Sequence, residues 1–277
     1  MERIVLITGC STGIGRSLAE AFQKNGDLVL ATARRLESIA DLMAIGCKVH
    51  PLDVNDESAM AGLIQRVEAK YGRIDVLINN AGVNAVAPVV EIPATQLRSQ
   101  FETNVIGPAL LVQKALPLLR KSHGATIVNI GSVSASLTTP FAGPYCASKA
   151  ALHSISEAMR LELRPLGIRV LLVTTGAIQS DLGSNATRSI KQWLTEKSLY
   201  YPVREGILAR ARASQENAMP ASEYATRLLK VVNTPGTTSA RLGKGALFFE
   251  LIGKFMPRGL RTRMLNKKFG LEHARLS

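Results

Sequence analysis

Cysteine is scarce in these 277 residues: there are three, too few for a disulfide framework, so a reducing compartment is the default. No apolar run approaches the roughly 20 residues that span a bilayer. The opening Ile4-Val5-Leu6-Ile7 is too short for a secretory signal core. Aromatic residues make up only 5% and no recognised nucleic-acid motif accompanies them, which argues against a nucleic-acid partner. Glycine (22) and proline (12) are near average, which excludes collagen-like and low-complexity chains. There is no internal repeat and no long Ser/Gly or Pro linker, so one domain is the simplest organisation. The expectation is an intracellular, non-secreted protein.

Acidic residues are also few, 21 against 34 Lys plus Arg, for a net charge of +13. The shortage is local. Residues 1–187 carry net +2, whereas residues 188–277 carry net +11. A basic final third suits an anionic substrate, a membrane-facing surface or nucleic acid.

What is present is an alternation of short apolar strands and helical patterns. Strands are expected at Ile4–Thr8, Leu28–Thr32, Lys48–Leu52, Ile74–Ile78, Thr126–Ile130 and Arg169–Val173. Helices are expected at Gly15–Asn25, Ser58–Lys70, Leu97–Leu119 and Tyr145–Leu163. Strands apolar throughout are buried on both faces, so the fold class is α/β: a Rossmann-type doubly wound parallel sheet. Ligands of such sheets sit at the carboxyl ends of the strands.

The first strand runs into Thr8-Gly9-Cys10-Ser11-Thr12-Gly13-Ile14-Gly15. Gly9, Gly13 and Gly15 permit a tight turn and close approach of a ligand to the backbone. The helix that follows offers free N–H groups and the positive end of its dipole to a pyrophosphate. The alternative is a glycine-rich turn without a ligand. Tyr145 and Lys149, four apart on one helix, share a face. An ordinary tyrosine, with a pKa near ~10, is a poor acid at neutral pH, and a nearby ammonium lowers that value. Alone, the pair is also compatible with an amphipathic helix bearing an exposed lysine.

The loop spacing Thr-Gly-x-x-x-Gly-x-Gly resembles the short-chain dehydrogenase/reductase family. So do, in order, Asn79-Asn80-Ala81-Gly82, Asn104, Ser132 and Tyr145-Cys146-Ala147-Ser148-Lys149. The likeness is dense over about residues 3–180. It implies that Tyr145 gives a proton to a carbonyl oxygen and that Ser132 orients that oxygen. Lys149 would hold the nicotinamide ribose, and Asn104 a water linking Lys149 to solvent. Ser11, Thr12, Ile14, Asn80, Ala81, Gly82, Gly176, Ile178 and Ser180 join the three loop glycines in binding the cofactor. Val54 joins Asp53, whose family position contacts adenine; Asp53 is also placed to cap the helix near Ser58. This chain departs from the family where Pro-Gly and a later Thr are usual: it has Thr175-Gly176 and Ser180. The resemblance further implies a homodimer or homotetramer.

No acidic residue lies between Leu28 and Leu36, where NAD-preferring enzymes bind the ribose 2′-hydroxyl. Arg34 and Arg35 stand there instead, which favours NADPH/NADP+ over a merely solvated pair. The four histidines (His50, His123, His153, His273) lack metal-ligand spacing, and Cys10 reads as a small filler, so neither a metal nor a cysteine nucleophile is expected.

Residues 1–241 are assigned to the catalytic domain, with a substrate lid at about 179–220, and 242–277 to an amphipathic extension. The lid mixes Trp193, Tyr200, Tyr201, Ile207 and Leu208 with Arg188, Lys191, Lys197, Arg204, Arg210 and Arg212. It suits either a greasy substrate with an anionic head or an exposed amphipathic cover. In the extension, Leu247, Phe248, Leu251, Ile252 and Phe255 trace an apolar helical stripe. Pro257 should end that helix, and a basic helix carrying Arg258, Arg261, Arg263, Lys267 and Lys268 should follow. The pattern fits an anionic membrane surface, or else packing onto the domain or a dimer partner. On the first reading the protein is peripheral on a membrane, lipid droplet or endoplasmic reticulum surface; on the second it is cytosolic.

Ala33-Arg34-Arg35-Leu36-Glu37, Thr175-Gly176, Met219-Pro220-Ala221 and Lys267-Lys268-Phe269-Gly270-Leu271 together resemble the NADPH-dependent 1-acyldihydroxyacetone phosphate reductase group of that family. The implied substrate is a lipid-like ketone, with steroid, retinoid and polyketide or terpenoid ketones as alternatives. A nucleotide-regulated binding protein is the competing class.

Overall fold

The computed structural model describes residues 2–272 and 274; the side chains of Asn185, Ser189, Lys191 and Gln192 lie outside the description. The expectations for His273 and for the Lys191 side chain therefore fall outside the described residues.

Seven parallel strands form one sheet in the order β3-β2-β1-β4-β5-β6-β7. They are β1 (Ile4–Ile7), β2 (Leu28–Ala33), β3 (Lys48–Pro51), β4 (Val76–Asn79), β5 (Thr126–Ile130), β6 (Arg169–Thr175) and β7 (Ser239–Leu242). The helices are α1 (Gly13–Lys24), α2 (Glu57–Tyr71), α3 (Ala94–Phe101), α4 (Gly107–Arg120), α5 (Gly143–Leu163), α6 (Leu182–Trp193), α7 (Arg204–Arg212), α8 (Ala221–Asn233), α9 (Ala246–Phe255) and α10 (Arg258–Lys268). The strand order reverses between β1 and β4, and a crevice opens there.

Alternation along each strand divides the core into two layers. Val5, Ile7, Val29, Ala31, Val128 and Leu171 face α1 and α8, where Phe22, Tyr224 and Leu228 are fully buried. Ile4, Leu6, Leu30, Leu77 and Ile127 face α2 and α4, against Met60, Leu63, Leu111 and Leu118. Each large apolar side chain buried in this way contributes about 1.5–3 kcal/mol. Gly72, at φ +73°, closes α2 in the left-handed conformation that favours glycine.

Three expectations need correction. The long helix expected over Leu97–Leu119 is α3 and α4 joined by a π-helical turn at Glu102–Ile106, and Asn104 lies in that turn. The seventh strand was not expected, because Ser-Ala-Arg-Leu is short, half polar and mostly solvent-facing. It pairs with β6 from Leu172↔Ser239 to Thr175↔Leu242, and so runs across the boundary drawn at 241/242.

The extension packs on the body. Leu265 and Phe269 join lid residues Ala186, Ile190, Ile207 and Ala211, together with Leu137 and Phe141, in a third core. A Cβ on Gly253 would lie 2.3 Å from the Ser136 carbonyl oxygen, so α9 rests directly on the turn that follows Ser132. Buried Glu250 holds Arg241 and Lys254, each at 2.5 Å. The outer side of α9 is bare: Leu247, Phe248, Leu251 and Phe255 are 44–75% exposed, and Ile252, expected on the same stripe, is half-buried. The helix ends before Pro257 and basic α10 follows. Among the described residues no helix is long and apolar enough to cross a membrane.

Candidate active site

The loop between β1 and α1 is shaped by contacts that only glycine allows. A Cβ on Gly15 would fall 2.1 Å from the Gly9 carbonyl oxygen and 2.4 Å from Asn80 Nδ2. Gly9 has φ +73° and lies against Ala81, where a Cβ would sit 2.8 Å from Cα. Thr8 and Asn80 fasten the loop to the end of β4. The Asn80 side-chain amide donates to the carbonyls of Thr8 (2.8 Å) and Gly9 (3.0 Å). The N–H groups of Asn80 and Ala81 both donate to Thr8 Oγ1 at 3.0 Å. Helix α1 has no side-chain cap and no acidic residue in its first turn. Its N–H groups are thus free for an anion.

One cleft of about 910 Å³ runs from this loop to the lid. Gly9, Ser11, Thr12, Ile14, Gly15, Arg34, Asp53, Val54, Asn80, Ala81, Gly82, Ser132, Tyr145, Lys149, Gly176, Ile178 and Ser180 all line it. Gly13, Asn104 and Arg35 do not. Gly13 backs the loop, where a Cβ would come 2.9 Å from Ser180 Cβ. Arg35 is exposed away from the cleft. Asp53 does not cap α2; Asp56 does, accepting from Ala59 N–H at 3.0 Å. Asp53 instead accepts from Asn55 N–H at 3.0 Å.

Asn104 is fully buried beneath the wall of the cleft. Its Oδ1 accepts from Val83 N–H at 2.9 Å. Its amide donates to the Val83 carbonyl (2.9 Å) and to Ser148 Oγ (3.0 Å). Both amide hydrogens are therefore engaged within the protein, and the side chain ties the segment after β4 to α5.

On α5, Lys149 Nζ donates to the Ile130 carbonyl at 2.9 Å and lies 6.0 Å from the centroid of the Tyr145 ring. Burial pushes the lysine down to about 8. Burial also raises the Tyr145 phenol; a hydrogen bond with Ser132 and the charge of Arg210 oppose that rise. Ser132 and Arg210 thus favour the phenolate, alongside the Lys149 ammonium that the four-residue spacing puts near the ring.

Ser132 Oγ accepts from Ser134 N–H at 3.1 Å, which leaves the hydroxyl proton for another acceptor. Ser132 N–H donates to His153 Nε2 at 3.2 Å. Burial lowers His153 to about 4, so the ring is neutral and can accept that bond. Gly131 makes room for it, since a Cβ there would come within 2.2 Å of His153 Nε2.

The departure at Thr175 has a local explanation. Its hydroxyl shares a 2.8 Å hydrogen bond with the hydroxyl of fully buried Tyr224, a partner that proline could not supply. Gln215 secures the loop beyond it: Oε1 accepts from Ser180 N–H (3.1 Å), and Nε2 donates to the Ile178 carbonyl (3.4 Å). Cys10 is fully buried and its thiol is pushed up to about 12 by desolvation, as suits a filler and not a nucleophile. Among the described residues no three His, Cys, Asp or Glu side chains cluster as metal ligands.

The far wall carries residues that the sequence did not place at the site. Phe248, Phe249, Ile252, Met264, Leu265 and Phe269 of the extension form an apolar side of the cleft. Arg210, one of six lid cations in the sequence, is 6% exposed beside Tyr145.

A glycine cradle on a helix N-terminus, continuous with a buried Ser-Tyr-Lys group at the carboxyl ends of a parallel sheet, defines a dinucleotide-dependent oxidoreductase site. The chain belongs to the short-chain dehydrogenase family, whose model matches residues 3–191. It is an oxidoreductase that uses a nicotinamide cofactor and acts on small-molecule carbonyl compounds or their alcohols. It is 38% identical to the short-chain dehydrogenase ptmH of Penicillium ochrochloron, over 98% of this chain and 99% of that one. It is 32% identical to the NADPH-dependent 1-acyldihydroxyacetone phosphate reductase of Saccharomyces cerevisiae, covering 98% and 92%. A short-chain dehydrogenase from Streptomyces avermitilis superposes with a TM-score of 0.80 at 32% identity, covering 98% of both chains. One from Burkholderia cenocepacia in complex with NADP gives 0.73 at 25% identity, covering 95% and 98%.

Proposed function

We propose that the protein reduces a ketone on a hydrophobic, lipid-like molecule to a secondary alcohol with NADPH. The observation that carries this reading is the continuity of one cleft from Arg34, through Ser132, Tyr145 and Lys149, to the apolar wall of α9 and α10. Gly9, Gly13, Gly15 and the α1 N-terminus would hold the pyrophosphate, and Arg34 a 2′-phosphate. The cofactor, when bound, supplies hydride to the carbonyl carbon.

The other steps belong to the chain. With substrate present, Ser132 turns its hydroxyl proton from Tyr145 to the carbonyl oxygen and fixes its position. Tyr145 transfers its phenolic proton to that oxygen as it becomes an alkoxide. Lys149, an ammonium below about pH 8, would hold the ribose hydroxyls, and Asn104, its side chain fully engaged with Val83 and Ser148, braces the segment after β4 against α5. His153 and Ser134 hold the Ser132 loop in register.

The yeast relative and the apolar wall together favour an acyl-dihydroxyacetone phosphate as substrate. An NADPH-oxidation panel of acyl-dihydroxyacetone phosphate, steroid, retinal and polyketide ketones tests this. Turnover of the acyl phosphate is expected; turnover confined to another member would replace it.

The same reading places the protein on anionic lipid. Exposed Leu247, Phe248, Leu251 and Phe255 adjoin the cationic α10, and that side chain mixture suits acyl chains below charged headgroups. Phe248 also lines the cleft, so a lipid substrate would enter from the surface itself.

A further inference from the structure

Among the described residues, the lid delivers one cation to the interior. Arg210 comes from α7, and its Nε donates to Thr139 Oγ1 at 2.6 Å. The Cys146 thiol is its other partner. A guanidinium has five N–H donors and stays charged at any physiological pH. These two partners leave donors over. The acidic residues lining the cleft are Asp53 and Asp181, and neither forms an ion pair with Arg210. Among the described residues Arg210 thus has no counter-ion, and a buried cation of that kind is costly and rarely kept without a task.

Its surroundings say which task. Arg210 lines the cleft together with Thr139, Leu137 and Tyr145, and its charge acts on the Tyr145 phenol. It therefore faces the space next to the carbonyl that Tyr145 protonates. The walls beyond, Phe249, Ile252 and Met264, are apolar. Most of the remaining lid cations are solvent-facing: Lys197, Arg204 and Arg212 are exposed.

We infer that Arg210 is a specificity residue that binds an anionic group, phosphate or carboxylate, carried by the substrate beside its reacting carbonyl. The substrate is thus an amphiphile: acid group and ketone together at the buried end, apolar chain running out along α9 and α10. This deepens the ketone-reductase reading and rests on it. It also assigns the anion to the interior beside Tyr145, apart from the cations of α10, of which Lys268 also lines the cleft.

Two matched pairs of ketones test the assignment, with NADPH as reductant. One pair is palmitoyl-dihydroxyacetone phosphate and palmitoyl-dihydroxyacetone; the other is a long-chain 3-keto acid and its methyl ester. Wild type should prefer the anionic member, and the better pair tells phosphate from carboxylate. Arg210→Met should depress kcat/KM for that anionic member about a hundredfold more than for its neutral counterpart, mainly through KM. Arg210→Lys should fall between them. Equal losses on both members would reduce Arg210 to a support for Tyr145 and overturn the proposal, as would a wild type indifferent to charge.

A binding experiment separates this idea from the reaction. Trp193, the single tryptophan, packs against the lid core and reports on the lid. Palmitoyl-glycerol phosphate should change its fluorescence at lower concentration than palmitoyl-glycerol, and Arg210→Lys should narrow that gap. If wild type reduces no ketone yet this difference persists, the anion site stands and the reductase substrate reading falls. If wild type reduces ketones yet binds both amphiphiles alike, the anion site falls. Should Arg210→Met fail to fold, Arg210→Lys decides both assays.

Discussion

The cofactor half and the substrate half of this molecule are built on opposite terms. From β1 to β6 the functional groups stand on strand ends and helix starts, fixed by backbone contacts such as Gly15 against Gly9 and Asn80 against Thr8. The charge of residues 1–187 is close to balanced. From α6 onward the site is made by side chains that reach in from a lid and a tail, and that region carries nearly all of the net charge of +13. On the proposed reading, the sheet fixes the chemistry and leaves the choice of substrate to segments that it does not constrain.

The strongest way to break this comparison lies in the first half. Tyr145→Phe should lower kcat about a thousandfold while NADPH still binds, because only the proton donor is lost. Retained turnover would remove the reaction from α5. Next in size is Arg34→Asp, which should move the ratio of kcat/KM for NADPH and NADH by about ten- to a hundredfold toward NADH. An unchanged ratio would show that the cationic end of β2 does not read the cofactor.

The second half is sharpened by surface changes. Phe255→Glu with Leu251→Glu should reduce co-flotation with phosphatidylserine liposomes several-fold and leave thermal stability within a few degrees, since both side chains are exposed. Equal recovery would mean that the bare face of α9 does not meet lipid. Deleting the extension is a poorer test, because Leu265 and Phe269 belong to the lid core.

The smallest effect concerns His153. Its folded value of about 4 lies below its ordinary 6.5, so falling pH protonates the unfolded chain first. Stability from this group is complete above about pH 6.5 and is lost as pH falls toward 4. His153→Gln keeps an acceptor for Ser132 N–H and should flatten that acid limb in Tm measured from pH 7 to 4.5. An identical limb in both proteins would assign the acid loss elsewhere.

Much of the first half was legible because its rules are local. Apolar strands with both faces covered, a glycine loop at the first strand-helix junction and a tyrosine four residues before a lysine each leave a mark in the chain. The second half left weaker marks. β7 is four residues long and half polar, so its pairing with β6 decides its state. The π turn at Asn104 is invisible in an apolar helical pattern. Arg210 looks like its five lid neighbours, and only the folding of α7 over Tyr145 makes it different. The stripe on α9 was traced in sequence, yet which side faced out depended on Gly253 meeting Ser136.

That last contact sets a practical rule for anyone engineering the molecule. Leu247, Leu251 and Phe255 can be recoded toward polarity without touching the cleft, because they are exposed and do not line it. Gly253 cannot take even a methyl group without displacing the carbonyl of Ser136, four residues beyond Ser132. A library that randomises α9 as one block would therefore mix harmless surface variants with a single position that dismantles the active-site turn.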